Sequence, residues 1–85
     1  MTMNVKVYPP NTPAYTTQIS SFRDLQAMVK GYVEICTIGG KDHAVNDAGL
    51  LVGLLPNMHF GHQNNGWPLR GIVVELPLDW DQLPY

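Results

Sequence analysis

The sequence predicts an α+β fold: one short helix, about residues 21–30, packed on a small, mostly antiparallel sheet of five to six strands. Three observations predict it. Met3, Val5 and Val7 alternate with Asn4 and Lys6, the period of a half-buried strand. Ser21 to Lys30 places Phe22, Leu25, Met28 and Val29 on one helical face, between a polar cap and a glycine. Beyond Gly31 the chain turns β-branched, in short runs punctuated by Gly, Asn and Pro.

The elements follow in order. Met3 to Tyr8 is the first strand, ended by Pro9, Pro10 and Pro13. Ala14 to Ile19 is the second, joined by a short loop that suits an antiparallel pair. Ser21 opens the helix. Its hydroxyl accepts from first-turn amides, and Asp24 three places on completes a capping box and suits the positive helix end. Lys30 suits the negative end, and Gly31 is the expected left-handed stop. Tyr32 to Ile38 is a third strand, Gly39-Gly40 a turn, and Lys41 to Val45 a short returning strand expected at a sheet edge. Asn46 to Gly49 is a second turn, and Leu50 to Val52 a brief strand. Residues 58–68 read as an irregular loop, long for a compact domain. Leu69 to Leu76 is the last strand, closed by Pro77. The expected organisation is one domain over residues 1–77 with an acidic-aromatic tail, 78–85.

Composition narrows the function. The chain has 85 residues, enough for one core. Apolar residues are 45% and charged residues 14%, which excludes a charged disordered tail. The net charge of −2 argues against a dedicated nucleic-acid binder, whose affinity rests on neutralising phosphates. One cysteine excludes an internal disulfide and a Cys-rich zinc site. The opening residues lack a secretory pattern, and no apolar run approaches the roughly 20 residues of a membrane span. The expectation is a cytoplasmic protein with no membrane association. A core this small also favours a homo-oligomer, a dimer first.

No nucleophile with its base and orienting acid can be named. Cys36 lies mid-strand, where cysteines usually pack inertly. Gly39-Gly40-Lys41 resembles part of a phosphate loop but precedes no helix. His59 and His62, three apart, are a weak metal signal, since a metal needs three or four converging donors; they read as exposed loop histidines, with a site shared across a dimer as the alternative. No catalytic residue, metal or cofactor is therefore assigned. The most chemically loaded stretch holds His59, His62, Asn64, Trp67 and Arg70. Trp67 could stack on a nucleotide-like ligand while Arg70 pairs with its phosphate. Equally, Trp67 could tuck onto the sheet edge and Arg70 pair with an acid such as Glu75. In the tail, Trp80, Leu83 and Tyr85 offer a docking motif for a partner, or pack back on the chain's own sheet.

Several stretches together resemble a known family. Leu25-Gln26 followed by Gly31-Tyr32-Val33-Glu34 is similar to its Leu-Gln…Gly-Tyr-Ile-Glu signature. Asn46-Asp47-Ala48-Gly49-Leu50 and Gly53-Leu54-Leu55-Pro56-Asn57 are similar to its Asn-Glu-Glu-Gly…Gly-Leu-Pro-Pro-Asn stretch. Arg70-Gly71-Ile72-Val73-Val74 is similar to its closing strand. The chain thus resembles the domain of unknown function 3846 family, small proteins of phages, plasmids and other mobile elements of bacteria. The resemblance runs from residue 3 to 76. Leu55 departs from the Pro-Pro-Asn turn, and the tail lies outside it. It implies an accessory protein acting in the host cytoplasm and assigns no site residue. The expected function is non-enzymatic, by interaction with a host or phage protein. The alternative is an oligomer that binds or sequesters a nucleotide-like ligand, counteracting host defence.

Overall fold

The computed structural model describes residues 2–48, 53–60 and 69–85. The elements are β1 (Met3–Tyr8), β2 (Tyr15–Ile19), α1 (Phe22–Val29), β3 (Val33–Ile38), β4 (Lys41–Asn46) and β5 (Val73–Glu75), followed by a 3₁₀ turn, Trp80–Gln82. The strands form one open sheet in the order β2-β1-β5-β4-β3, with every neighbouring pair antiparallel. The expected α+β fold is present: one helix lies against a five-strand sheet. Among the described residues no helix is long and apolar enough to cross a membrane.

Each face of the sheet has its own apolar layer. On the helix side, Met3, Val5 and Val7 of β1 meet Leu25 and Val29 of α1, with Ala44 and Val74 between them. These are the odd positions of the alternating β1 pattern, so the period-2 reading selects the buried face. On the other side, Val45 and Val73 are covered by Phe60 and Leu69, with Tyr8, Cys36 and Ile38 at the margin.

The ends of α1 are held by distant parts of the chain. Ser21 Oγ accepts from the Asp24 amide at 3.3 Å and the Asp24 carboxylate accepts from the Ser21 amide at 3.2 Å, the expected capping box. The next two orphan amides are taken by the tail: Phe22 N–H donates to the Pro84 carbonyl and Arg23 N–H to that of Tyr85. At the other end Asn46 Nδ2 donates to the Val29 and Lys30 carbonyls, while its Oδ1 accepts from the Ala48 amide.

Four expectations are corrected. Lys30, not Gly31, is the left-handed residue, at φ 64°. Gly31 is needed for room instead: a Cβ there would lie 2.7 Å from Asn46 Nδ2, inside the clamp on the helix end. Strand β4 is not an edge; β5 lies against its other side. The last strand is three residues rather than eight. Gly71 takes φ +74° just before it, and Arg70 makes only an isolated bridge to Pro56. Arg70 does not pair with Glu75: its Nη1 donates to the Leu54 carbonyl at 3.1 Å. The strand expected at Leu50 to Val52 lies outside the described residues.

Candidate functional site

Of the residues singled out for ligand binding, His62, Asn64 and Trp67 lie outside the described residues. The other two are committed to backbone. His59 Nε2 donates to the Thr12 carbonyl at 2.7 Å, and its ring meets that of Tyr8 edge-on with centroids 5.4 Å apart. Arg70 serves Leu54, as above. Among the described residues no group of three His, Cys, Asp or Glu gathers as a metal ion would require.

The tail residues fold back on the domain. Trp80 and Leu83 pack against the helix-side core, and Trp80 Nε1 donates to Asp42 Oδ2 at 2.9 Å. Tyr85 stacks on Phe22 at 6.2 Å between ring centroids and lies under the Arg23 guanidinium at 5.2 Å.

A cluster that sequence reasoning missed sits on the face opposite the helix. The strand register lines up Thr16, Lys6, Glu75, His43 and Cys36, one from each strand. Glu75 is its centre. The Tyr8 hydroxyl donates to Glu75 Oε1 at 3.0 Å, Lys41 Nζ reaches Oε2 at 3.4 Å, and His43 Nε2 lies 3.8 Å from Oε1. Burial alone would raise the Glu75 pKa, but the Tyr8 hydroxyl and the charges of Lys41 and His43 outweigh it, so it lies below the usual range. Burial and the Glu75 carboxylate push Tyr8 up. His43 is 3% exposed, wedged against the Phe60 ring, and its Nδ1 donates to the Lys41 carbonyl at 2.9 Å. Cys36 stands across from His43, but burial and the Glu34 charge raise its thiol pKa. A protonated thiol is a poor nucleophile. The only sequence signal for this row was that Lys6, His43 and Glu75 fall in strands; strand order, which local pattern does not carry, brings them together.

Beside this row the sheet has a notch. Strand β5 stops at Glu75, while β1 continues to Met3 on one side and the β3–β4 hairpin continues on the other. The cause is Pro77. Continuing the β1–β5 register would set residue 77 against Asn4, and proline has no N–H for the ladder. The chain makes one last bond, Leu76 N–H to the Asp42 carbonyl at 2.9 Å, and leaves the sheet. The Leu76–Asp42 bond turns Leu76 and Val74 toward β4, so Glu75 and Val73 bond Lys6 and Tyr8, and alternation turns the Asn4 main-chain groups toward the same gap. The gap is one strand wide, roughly 10 Å between β1 and β4. It opens as a groove of about 570 Å³ lined by Asn4, Lys6, Lys41, Glu75 and Leu78. Leu78, 97% exposed, stands at its rim.

The class defined by these features is a small α+β protein, a single helix on an open antiparallel five-strand sheet with a notch at the end of its central strand. No family model, curated protein or solved structure matches the chain.

Proposed function

We propose that this chain is a non-enzymatic protein-interaction module, and that the notch beyond β5 receives an extended segment of a partner protein carrying an acidic side chain. The resemblance to the domain of unknown function 3846 family would make it an accessory protein of a phage or other mobile element, with a host or phage protein as partner in the host cytoplasm.

The observation that carries the reading is the one-strand gap with the open main chain of Asn4 on its wall. Strand addition supplies main-chain hydrogen bonds to such an edge, and flanking side chains supply selectivity. The charges favour an acidic occupant. Glu75 is already bonded to Tyr8 and Lys41, and Asp42 to Thr37 and Trp80. Among the described residues Lys6 makes no ion pair and lies over the Tyr8 ring at 5.4 Å, and the Lys41 side chain is 64% exposed. The Lys6 ammonium is the charge left to answer a carboxylate, with Lys41, already paired to Glu75, beside it.

The test is a titration of ¹⁵N-labelled protein with the pentapeptide acetyl-Thr-Val-Glu-Val-Thr-amide. Shifts centred on Asn4, Lys6 and Gly40, weakened roughly tenfold or more by Lys6→Glu, are expected. Loss of those shifts when the peptide glutamate becomes alanine would assign the acidic preference. Absence of any shift at millimolar peptide overturns the reading. Shifts with nucleoside mono- and diphosphates but not with peptide would favour a small-ligand binder instead.

A further inference from the structure

The notch is not the only open part of the sheet. Strand β3 is an edge, and among the described residues nothing pairs with its outer side. Its hairpin shows which groups that side presents. Gly39 and Gly40 have φ of 61° and 79° and join Ile38 directly to Lys41, a two-residue loop of the primed kind. In such a hairpin the residues flanking the loop bond each other, and bonding alternates from there. Ile38, Cys36 and Glu34 therefore bond inward to β4, and the Asp47 N–H to Tyr32 carbonyl bond continues the same phase. Val33, Ile35 and Thr37 turn their N–H and C=O groups outward.

Within its own residues this edge carries none of the usual guards. It has no proline, no lysine and no bulge, and its one charge is Glu34. It is apolar on both faces. Val33 and Ile35 are the half-buried margin of the helix-side core, while Cys36 and Ile38 are the margin of the opposite core. A strand that completes both layers carries apolar residues on both faces. A second copy of β3 meets that description.

We infer that two copies of this chain pair antiparallel through β3, with Cys36 of each on the two-fold axis. Two identical antiparallel strands related by a two-fold axis can pair only so that some residue faces its own copy. If Glu34 faced itself, two carboxylates would meet. If Ile35 lay on the axis, Glu34 would face the second copy of Cys36, and the two glutamates would sit on a diagonal of about 7–8 Å. With Cys36 on the axis, Glu34 faces Ile38 of the second copy, and the glutamates are about 14 Å apart. Ile38 is the cross-strand neighbour of Lys41, so each Glu34 then shares a row with the second copy's Lys41. Of these three registers charge selects this one; with Thr37 on the axis Glu34 would lie opposite the Gly40 turn, and the paired stretch would be shorter. In it Ile35 and Thr37 of opposite copies exchange main-chain bonds. The two Cys36 residues form a non-hydrogen-bonded pair with Cα atoms about 4.5 Å apart, within disulfide reach.

The experiment combines solution mass with site-directed oxidation. Light scattering is expected to return twice the 9.5 kDa of the chain. Copper–phenanthroline, accepting two electrons as two thiols lose two protons, is expected to join the copies through Cys36 at a rate independent of concentration once the dimer is populated. Moving the thiol with Glu34→Cys and Cys36→Ser is expected to abolish the cross-link while the mass stays dimeric. Thr37→Pro removes an outward N–H, and Glu34→Lys sets like charges in one row; each is expected to give the monomer mass with an unchanged far-ultraviolet circular dichroism spectrum. A monomer at all concentrations, or a dimer that survives both variants, overturns the pairing. A cross-link through residue 34 overturns the register. Mass and cross-linking are read without peptide, so they are separable from binding at the notch on the other side of β4, although Lys41 borders both.

Discussion

The Trp80 indole N–H donates to Asp42 Oδ2 at 2.9 Å, tying the chain's last turn to the strand beside the sheet's centre. The same carboxylate accepts from the Thr37 hydroxyl at 2.7 Å. Asp42 thus holds β3, β4 and the tail at one point. Trp80→Ala removes a half-buried ring from the helix-side core and is expected to cost about 2–4 kcal/mol in chemical denaturation. Trp80→Phe keeps most of the packing and should cost clearly less. Equal losses would mean that the indole bond, not the ring, carries the effect.

Acid should weaken the fold through identifiable groups. Asp42 is held below the ordinary carboxylate range, first by the Thr37 hydroxyl and then by Trp80. Asp24 is lowered mainly by the Ser20 amide, and Glu75 is also lowered. A depressed pKa contributes stability that is present above the unfolded value and is lost as pH falls through the folded one. The midpoint of urea unfolding is therefore expected to fall as pH drops through and below the ordinary carboxylate range. Asp42→Asn should flatten that dependence. Tyr8 is raised by burial and by Glu75, so its contribution is present below the ordinary tyrosine pKa and is lost as pH rises above it. Tyr8→Phe should remove that alkaline loss.

Asn57 is 1% exposed and fully bonded. Its Nδ2 donates to the Tyr8 carbonyl at 2.7 Å and the Gly71 carbonyl at 2.9 Å, and its Oδ1 accepts from the His59 amide at 3.0 Å. Asn57→Ala leaves buried carbonyls with one partner fewer and is expected to cost about 2–3 kcal/mol. Asn57→Asp turns a carboxylate toward the two carbonyls and should cost more at neutral pH, with partial recovery in mild acid as the group protonates. An Asp variant as stable as the Ala variant would mean the amide donors matter little.

The end of α1 offers one stabilising change and one destabilising change. Lys30 sits in the left-handed region, where a side chain costs about 1 kcal/mol against glycine. Lys30→Gly is expected to raise stability by about 0.5–1 kcal/mol, less what glycine adds to unfolded-chain entropy. Gly31→Ala should destabilise by displacing Asn46. In Asn46→Ala the space is free, so the cost of Gly31→Ala should shrink. Additive costs in the double variant would show that the two residues do not act through one another.

The local elements were legible because their signals are local. The alternation in β1 and the Ser21/Asp24 cap needed no knowledge of the rest of the chain. The order of strands was not legible. Nothing in Leu69 to Leu76 says that only Val73 to Glu75 pair, or that they enter between β1 and β4. The apolar run reads as a long strand because both its faces are buried, which is the mark of a central strand cut short by Gly71 and Pro77. The Glu75 row and the Asn46 and Asn57 clamps depend on that order. They join residues up to 67 positions apart and leave no spacing to find. The tail's aromatic residues could be read two ways in sequence, and the partners of Trp80 and Tyr85 emerge only once β4 and α1 are placed beside them.

The place of β5 has a consequence for how the chain reaches this structure. The hairpin β1–β2 and the hairpin β3–β4 are each built from neighbours in sequence, and each can form early and fast. They do not touch one another in the sheet; three residues near the far end of the chain join them. Closing those pairs spans more than sixty positions, from Lys6 to Glu75. The expected rate-limiting event is the arrival of that short segment between two waiting halves. On the ribosome the first seventy residues would emerge as two loosely associated hairpins, and the sheet would become whole only as Glu75 cleared the exit.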